Sequence, residues 1–272
     1  MSSKAADHGT VMITGASSGI GRELALAFAP RARALVLVAR RTERLERLRA
    51  ELLARHPNLK VIALSADLSD ERQIEALVRR VEEQAGPVDV LVNNAGLGYS
   101  ALIDQSDWAR TRQVLHTNIL AVAQLTSAVV PGMVKRGRGG VINIGSGAGF
   151  TVLPSAAAYV GSKHFIAGFS EALRADLAGT GVVVTQVCPG PVRSEFDEVA
   201  GSAGGMIGGP PNILRIGAMQ CAQEALAAFE RGDARVFPGR AFRSLMRMLP
   251  FLPLWVLRRQ AANVATRSRA RQ

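Results

Sequence analysis

The first 190 residues alternate between short apolar runs rich in β-branched residues and longer segments of helical period, and this alternation restricts the fold more than anything else in the chain. The short runs are Thr10–Thr14, Ala34–Ala39, Lys60–Ser65, Val88–Asn93, Val141–Ile144 and Val182–Cys188. They are apolar almost throughout rather than at every second residue, as expected of strands buried on both faces of a parallel sheet. Segments of helical period at about 20–29, 42–55, 70–85, 107–136 and 156–178 lie between them. Parallel neighbours need a crossover, and a helix is the usual one. The pattern predicts a single-domain α/β fold, a doubly wound parallel sheet with helices on both faces. A helix near 217–231 and a strand at Ala234–Phe237 bring the expectation to about seven strands.

Composition agrees with one globular domain. The 272 residues are 48% hydrophobic and 20% charged, enough to bury a sizeable core. Met1 to Thr10 is polar and runs directly into the first strand, so no signal peptide is expected. No window holds eighteen uninterrupted apolar residues, which argues against a spanning helix. The two cysteines, Cys188 and Cys221, suit a reducing compartment. The expectation is a cytoplasmic protein, or one on the cytosolic face of a membrane, with no metal site.

The net charge of +11 is not spread evenly. Residues 240–272 hold eight arginines and no acid, and removing that +8 leaves +3 for residues 1–239. The basicity belongs to the tail, which argues against a nucleic-acid-binding domain. We therefore divide the chain into a main α/β domain at 1–239 and a basic, partly apolar extension at 240–272. Pro250 and Pro253 would interrupt any single helix through that extension. Three readings of it stand: Leu249, Phe251, Leu252 and Trp255 pack on the domain or a second subunit, they meet an anionic membrane surface, or the tail binds nucleic acid. The first two are preferred, and no nucleic acid is expected. Residues 194–216, rich in Gly, Pro and Ser, read as a mobile loop over a substrate.

The first strand ends in Thr14-Gly15-Ala16-Ser17-Ser18-Gly19-Ile20-Gly21 and then enters a helix. Glycines at such a turn let backbone approach a pyrophosphate, and the helix N-terminus offers free N–H groups. The second strand ends Ala39-Arg40-Arg41, with no acid to meet ribose hydroxyls and two guanidinium groups suited to a phosphate. Arg40 and Arg41 are also ordinary residues for a solvated helix start. Further on, Tyr159 and Lys163 lie one helical turn apart on the same face. A phenol with a pKa of about 10 is a poor proton donor and acceptor near neutrality. A neighbouring ammonium lowers that pKa toward the working range.

These features fall in the order and approximate spacing of a known family. Gly15–Gly21, then Asn93-Asn94-Ala95-Gly96, Asn118, Ser146, Tyr159 with Lys163, and Pro189-Gly190 together resemble the short-chain dehydrogenase/reductase family over residues 10 to about 195. The resemblance implies a Rossmann-type nucleotide fold and hydride exchange between a nicotinamide cofactor and a carbonyl or alcohol. It assigns Asn118, Ser146, Tyr159 and Lys163 to catalysis. Tyr159 would move the proton, Lys163 would lower its pKa and meet the nicotinamide ribose, and Ser146 would hold the substrate oxygen. Asn118 would hold a water that relays protons to Lys163.

The resemblance assigns Gly15, Ser17, Ser18, Gly19, Ile20, Gly21, Arg40, Arg41, Asp67, Leu68, Asn94, Ala95, Gly96, Pro189, Gly190, Val192 and Ser194 to the cofactor, with Tyr159 and Lys163. NADP(H) is favoured over NAD(H), since Ala39 stands where NAD-preferring members place an acid; Ser18, where NADP-preferring members often carry a base, is a departure. Asp67 is also a candidate helix N-cap. His164 points about 100° away from Lys163 and reads as a packing residue. A homodimer or homotetramer is expected, with a small, lipophilic ketone or aldehyde as substrate. The alternative is a catalytically inactive nucleotide-binding sensor or scaffold of the same fold.

Overall fold

All six apolar runs form strands, and the short seventh joins them. The structure, a computed structural model, describes residues 8–193, 212–251 and 253–269. In chain order the sheet elements and crossovers are β1 (Thr10–Thr14), α1 (Gly19–Phe28), β2 (Ala34–Ala39), α2 (Thr42–Arg55), β3 (Lys60–Ser65), α3 (Glu71–Ala85) and β4 (Val90–Asn93). They continue with α4 (Trp108–Leu115), α5 (Ala121–Lys135), β5 (Gly139–Ile144), α6 (Ala157–Asp176) and β6 (Val182–Val187). A two-residue parallel pair follows, β7 (Val192–Arg193) with β8 (Ile216–Gly217). The chain then runs through α7 (Ala218–Glu230), β9 (Arg235–Val236), α8 (Arg240–Met248) and α9 (Leu254–Arg269).

Seven strands make one sheet in the order β3-β2-β1-β4-β5-β6-β9, and every pairing in it is parallel. The sequence shows why. All of β1 is buried, and β2 is buried except at its last residue, so neither strand has a face for water. One face packs under α1, α2 and α7 through Leu24, Phe28, Leu45, Leu226 and Phe229. The other packs under α3 and α5 through Ile74, Leu77, Leu125 and Met133. A fully buried side chain of this size contributes roughly 1.5–3 kcal/mol relative to exposure.

Three local details refine the expectation. Asp70, not Asp67, caps α3, its carboxylate accepting from Arg72 N at 3.0 Å. The helix expected over 107–136 is interrupted by a π-turn, His116–Leu120. Its whole run, Trp108–Lys135, is long and apolar enough by composition to cross a membrane, but that composition also serves a helix packed against a sheet. Finally, Phe251 and Trp255 are 79% and 64% exposed rather than packed on their own domain. The tail instead buries Phe242 and Met246, one turn apart on α8. The prolines act as expected, separating α8 from α9. Residues 194–211 of the expected substrate loop, Ser194 among them, and Leu252 lie outside the described residues.

Candidate active site

The sheet order puts β1 beside β4, so the winding reverses between them and opens a crevice at their carboxyl ends. The glycine turn lies on one side of it. Gly15 holds φ +66°, a backbone conformation that favours glycine. A Cβ on Gly15 would stand 2.8 Å from Asn94 Nδ2, and one on Gly21 would stand 2.4 Å from the Gly15 carbonyl oxygen. Asn94 Nδ2 fastens the turn by donating to the carbonyl oxygens of Thr14 (2.8 Å) and Gly15 (3.2 Å). Thr14 Oγ1 accepts from the backbone N–H groups of Asn94 and Ala95, both at 3.0 Å. The turn and the end of β4 are therefore one braced unit. No side chain fits at Gly15 or Gly21, and α1 begins at the turn, which fits a pyrophosphate-bearing dinucleotide.

Arg41 folds back over this turn. Its guanidinium donates to Ser17 Oγ at 3.1 Å and to Ser18 Oγ at 2.8 Å. The chain thus supplies a cation beside Ser18 from the N-cap position of α2. Arg40 is exposed next to it. Asp67 Oδ1 accepts from the N–H and the hydroxyl of Ser69, and Leu68 is buried in the core, so Leu68 can offer a ligand little beyond its backbone.

The residues expected to carry chemistry converge across the crevice. Ser146 follows β5, and its Oγ accepts from Ala148 N at 3.1 Å, which leaves the hydroxyl hydrogen for another acceptor. Tyr159 and Lys163 lie on α6, with the Lys163 Nζ 5.7 Å from the phenol ring centroid. Lys163 is 6% exposed, and its Nζ donates to the Ile144 carbonyl at 3.1 Å. Burial pushes its ammonium down from 10.5 to about 8. Asn118, in the π-turn and 2% exposed, is held on three sides. Its Oδ1 accepts from Leu97 N (2.8 Å), and its Nδ2 donates to Leu97 O and Ser162 Oγ (both 3.0 Å). A Cβ on Gly96 would stand 3.4 Å from Asn118 Oδ1 and 3.7 Å from Lys163 Nζ, so this glycine lets the two polar groups share one space.

The Pro189–Gly190 turn closes the floor, with the Pro189 carbonyl accepting from Gly147 N at 2.9 Å. Val192 is buried beside it in β7. His164 points outward, its Nδ1 3.0 Å from the Val160 carbonyl oxygen. Two contributors escaped the sequence reading. Ser162 accepts from Asn118 and donates to the Tyr159 carbonyl at 2.7 Å; its position one turn after Tyr159 is the signal that could have revealed it. Phe242 lays its ring where Gly147 and Gly190 have no side chain, within 2.4 and 2.7 Å of the places their Cβ atoms would take.

The fold and this convergence define a nicotinamide-dependent oxidoreductase fold, and the comparisons agree. The short chain dehydrogenase family profile matches residues 9–203, and the chain belongs to that family. It is 41% identical over 190 residues to an uncharacterized oxidoreductase of Myxococcus xanthus, covering 69% of this chain and 73% of that one. It is 38% identical over 221 residues to a sulfoacetaldehyde reductase of Chromohalobacter salexigens, covering 79% of each. Among solved structures, a short-chain dehydrogenase from Sphingobium yanoikuyae in complex with NADPH shares 33% identity with a TM-score of 0.80, over 89% of this chain and 92% of that one. A short-chain dehydrogenase/reductase from Burkholderia phymatum in complex with NAD shares 26% identity with a TM-score of 0.78, over 90% and 94%.

Proposed function

We propose that this protein is an NADP(H)-dependent oxidoreductase that interconverts a lipophilic ketone or aldehyde and its alcohol. The observation that carries the reading is the buried Lys163 ammonium, held by Ile144 and set beside the Tyr159 ring at the foot of a glycine cradle. A nicotinamide dinucleotide whose pyrophosphate lies in that cradle would supply or accept the hydride. Tyr159 gives its phenolic proton to the substrate oxygen, and the Lys163 charge favours the phenolate left behind. The Ser146 hydroxyl donates to the same oxygen and stabilises the charge that develops there. Asn118 holds the Leu97 backbone and Ser162 in place, and offers its remaining lone pair to a water on the path to Lys163. In the Tyr159→Phe variant, NADPH oxidation with a panel of ketones and aldehydes should fall at least about a hundredfold. Equal rates in variant and wild type would defeat the mechanism.

The preference for NADP(H) rests on Arg40, Arg41 and the absence of an acid at the end of β2. Asp67, the Asn94–Gly96 run, Pro189, Gly190, Val192 and Ser194 complete the proposed cofactor site. The apolar, 44% exposed Val152 between Ser146 and Tyr159 favours a lipophilic substrate, with residues 194–216 as the covering loop. A screen of carbonyls of graded length and polarity tests that class. The protein would act in the cytoplasm as a homodimer or homotetramer, joined through the outer face of the Trp108–Lys135 run where Leu120 and Val134 stand exposed. Light scattering of the purified protein measures this. The exposed Phe251 and Trp255, among the eight arginines of residues 240–272, would touch an anionic membrane surface. Substituting both by serine should weaken sedimentation with vesicles.

A further inference from the structure

A second cavity lies on the flank of α8. Phe242 and Met246 turn toward the domain, and at 100° per residue Arg240, Arg243 and Arg247 fall together on a neighbouring flank. With Arg231 and Arg235 they line a cavity of about 590 Å³ that also touches Glu224 and Asp233. That volume is in the range of small-ligand sites. None of these residues belongs to the cofactor crevice or to the chemistry proposed above.

The cavity's charges do not balance. Arg231 pairs with Asp233 at 2.6 Å. Arg235 pairs with Glu171, donates from Nε to Gln186 Oε1 at 3.1 Å, and stacks over the Phe150 ring. Arg243 pairs with Glu224 and also donates to the Phe237 carbonyl at 3.1 Å. Glu224 is further committed, since its carboxylate accepts from Gly239 N at the start of α8. Arg240 and Arg247 have no acidic partner among the described residues. Two guanidinium groups without an acidic partner among the described residues thus line the same cavity as three that are paired. The planar fork of each matches phosphate oxygens in a bidentate manner.

We propose that this cavity binds a phosphate-bearing anion, gripped by Arg240 and Arg247 with Arg243 behind them. The phosphate can belong to a soluble metabolite or to a phospholipid headgroup, and the chemistry of recognition is the same.

The test uses the full chain saturated with NADP, so that phosphate sites in the crevice are filled. Inorganic phosphate is titrated calorimetrically at low salt, and vesicles of phosphatidylcholine with or without phosphatidic acid are tested by sedimentation. Wild type is compared with Arg240→Gln/Arg247→Gln and with Arg247→Glu alone. Both changes lie on exposed positions, and thermal melting checks that each variant is folded. Saturable phosphate binding that weakens at least about tenfold in both variants supports the site and a soluble ligand. Phosphatidic-acid-dependent sedimentation that both variants lose, while a Phe251→Ser/Trp255→Ser variant keeps its dependence on phosphatidic acid, supports the site and a headgroup. Absence of both kinds of binding, or binding unchanged by the arginine variants, overturns the proposal.

Discussion

The Lys163 Nζ donates to the Ile144 carbonyl at 3.1 Å, and this bond ties the helix of Tyr159 to the strand whose end presents Ser146. Two groups expected to meet one substrate oxygen come from segments thirteen residues apart in sequence. The bond fixes their relation by joining α6 to the last residue of β5.

The same lysine gives stability a pH dependence. Burial lowers its pKa from 10.5 to about 8, so the unfolded chain holds this proton more tightly than the folded protein does. Between those two values the unfolded state binds more protons, and this group's contribution to stability rises with pH. Below about 8 the folded protein carries the whole cost of a buried ammonium, on the order of 3 kcal/mol. Lys163→Met removes that cost. Its melting temperature relative to wild type should therefore be most favourable near neutrality and become less so as pH rises toward 10.5. A difference that stays constant with pH would mean that Lys163 does not titrate in this window.

Arg41→Ala should lower kcat/KM for NADPH about tenfold to a hundredfold and leave NADH almost unchanged. Loss of one charge-assisted hydrogen bond to a phosphate accounts for that size. Parallel steady-state measurements with both cofactors check it. An equal loss with each cofactor would show that Arg41 only braces Ser17 and Ser18.

Ser162 is a positioning residue, standing between the Asn118 amide and the Tyr159 carbonyl. Ser162→Ala leaves a buried amide hydrogen without its acceptor, which costs about 1–3 kcal/mol. Turnover should drop while KM for NADPH holds, and Ser162→Thr should recover part of kcat because it restores the hydroxyl. A purely structural role would lower the melting temperature of the alanine variant without that split between kcat and KM.

The sheet was legible because its strands are continuous apolar runs between glycine and charged turns, and a parallel strand buried on both faces leaves that mark. The glycine turn and the Tyr159–Lys163 pair were legible for a similar reason, since each is a local spacing with a chemical meaning. Phe242 was not. It fills gaps over Gly147 and Gly190, and nothing near residue 242 in the sequence refers to them. The π-turn that seats Asn118 was hidden too, because an apolar helix and a helix with one wide turn share almost the same periodicity. Asp67 was only one candidate for the cap of α3, since Asp67 and Asp70 both precede the helix and only geometry selects Asp70.

Gly21→Ala should abolish cofactor binding with a smaller loss of stability. The added methyl would press on the Gly15 carbonyl, a backbone atom that cannot swing aside. Quenching of tryptophan fluorescence by NADPH, or calorimetry, measures the loss. Retained affinity would mean that the turn relaxes around the methyl.

The ring of Phe242 makes the chain's end part of the enclosure around its beginning. Every side chain assigned to the reaction lies before residue 165, but a stop codon or protease cut at residue 239 would strip one wall from the pocket and leave Gly147 and Gly190 open to water. A shortened protein of that kind would keep its sheet and its cofactor turn while losing the rigidity of the Ser146 loop. Inactivity after such a cut would then report a lost wall rather than a lost membrane anchor, and the two are separated by cutting after α8 instead of before it.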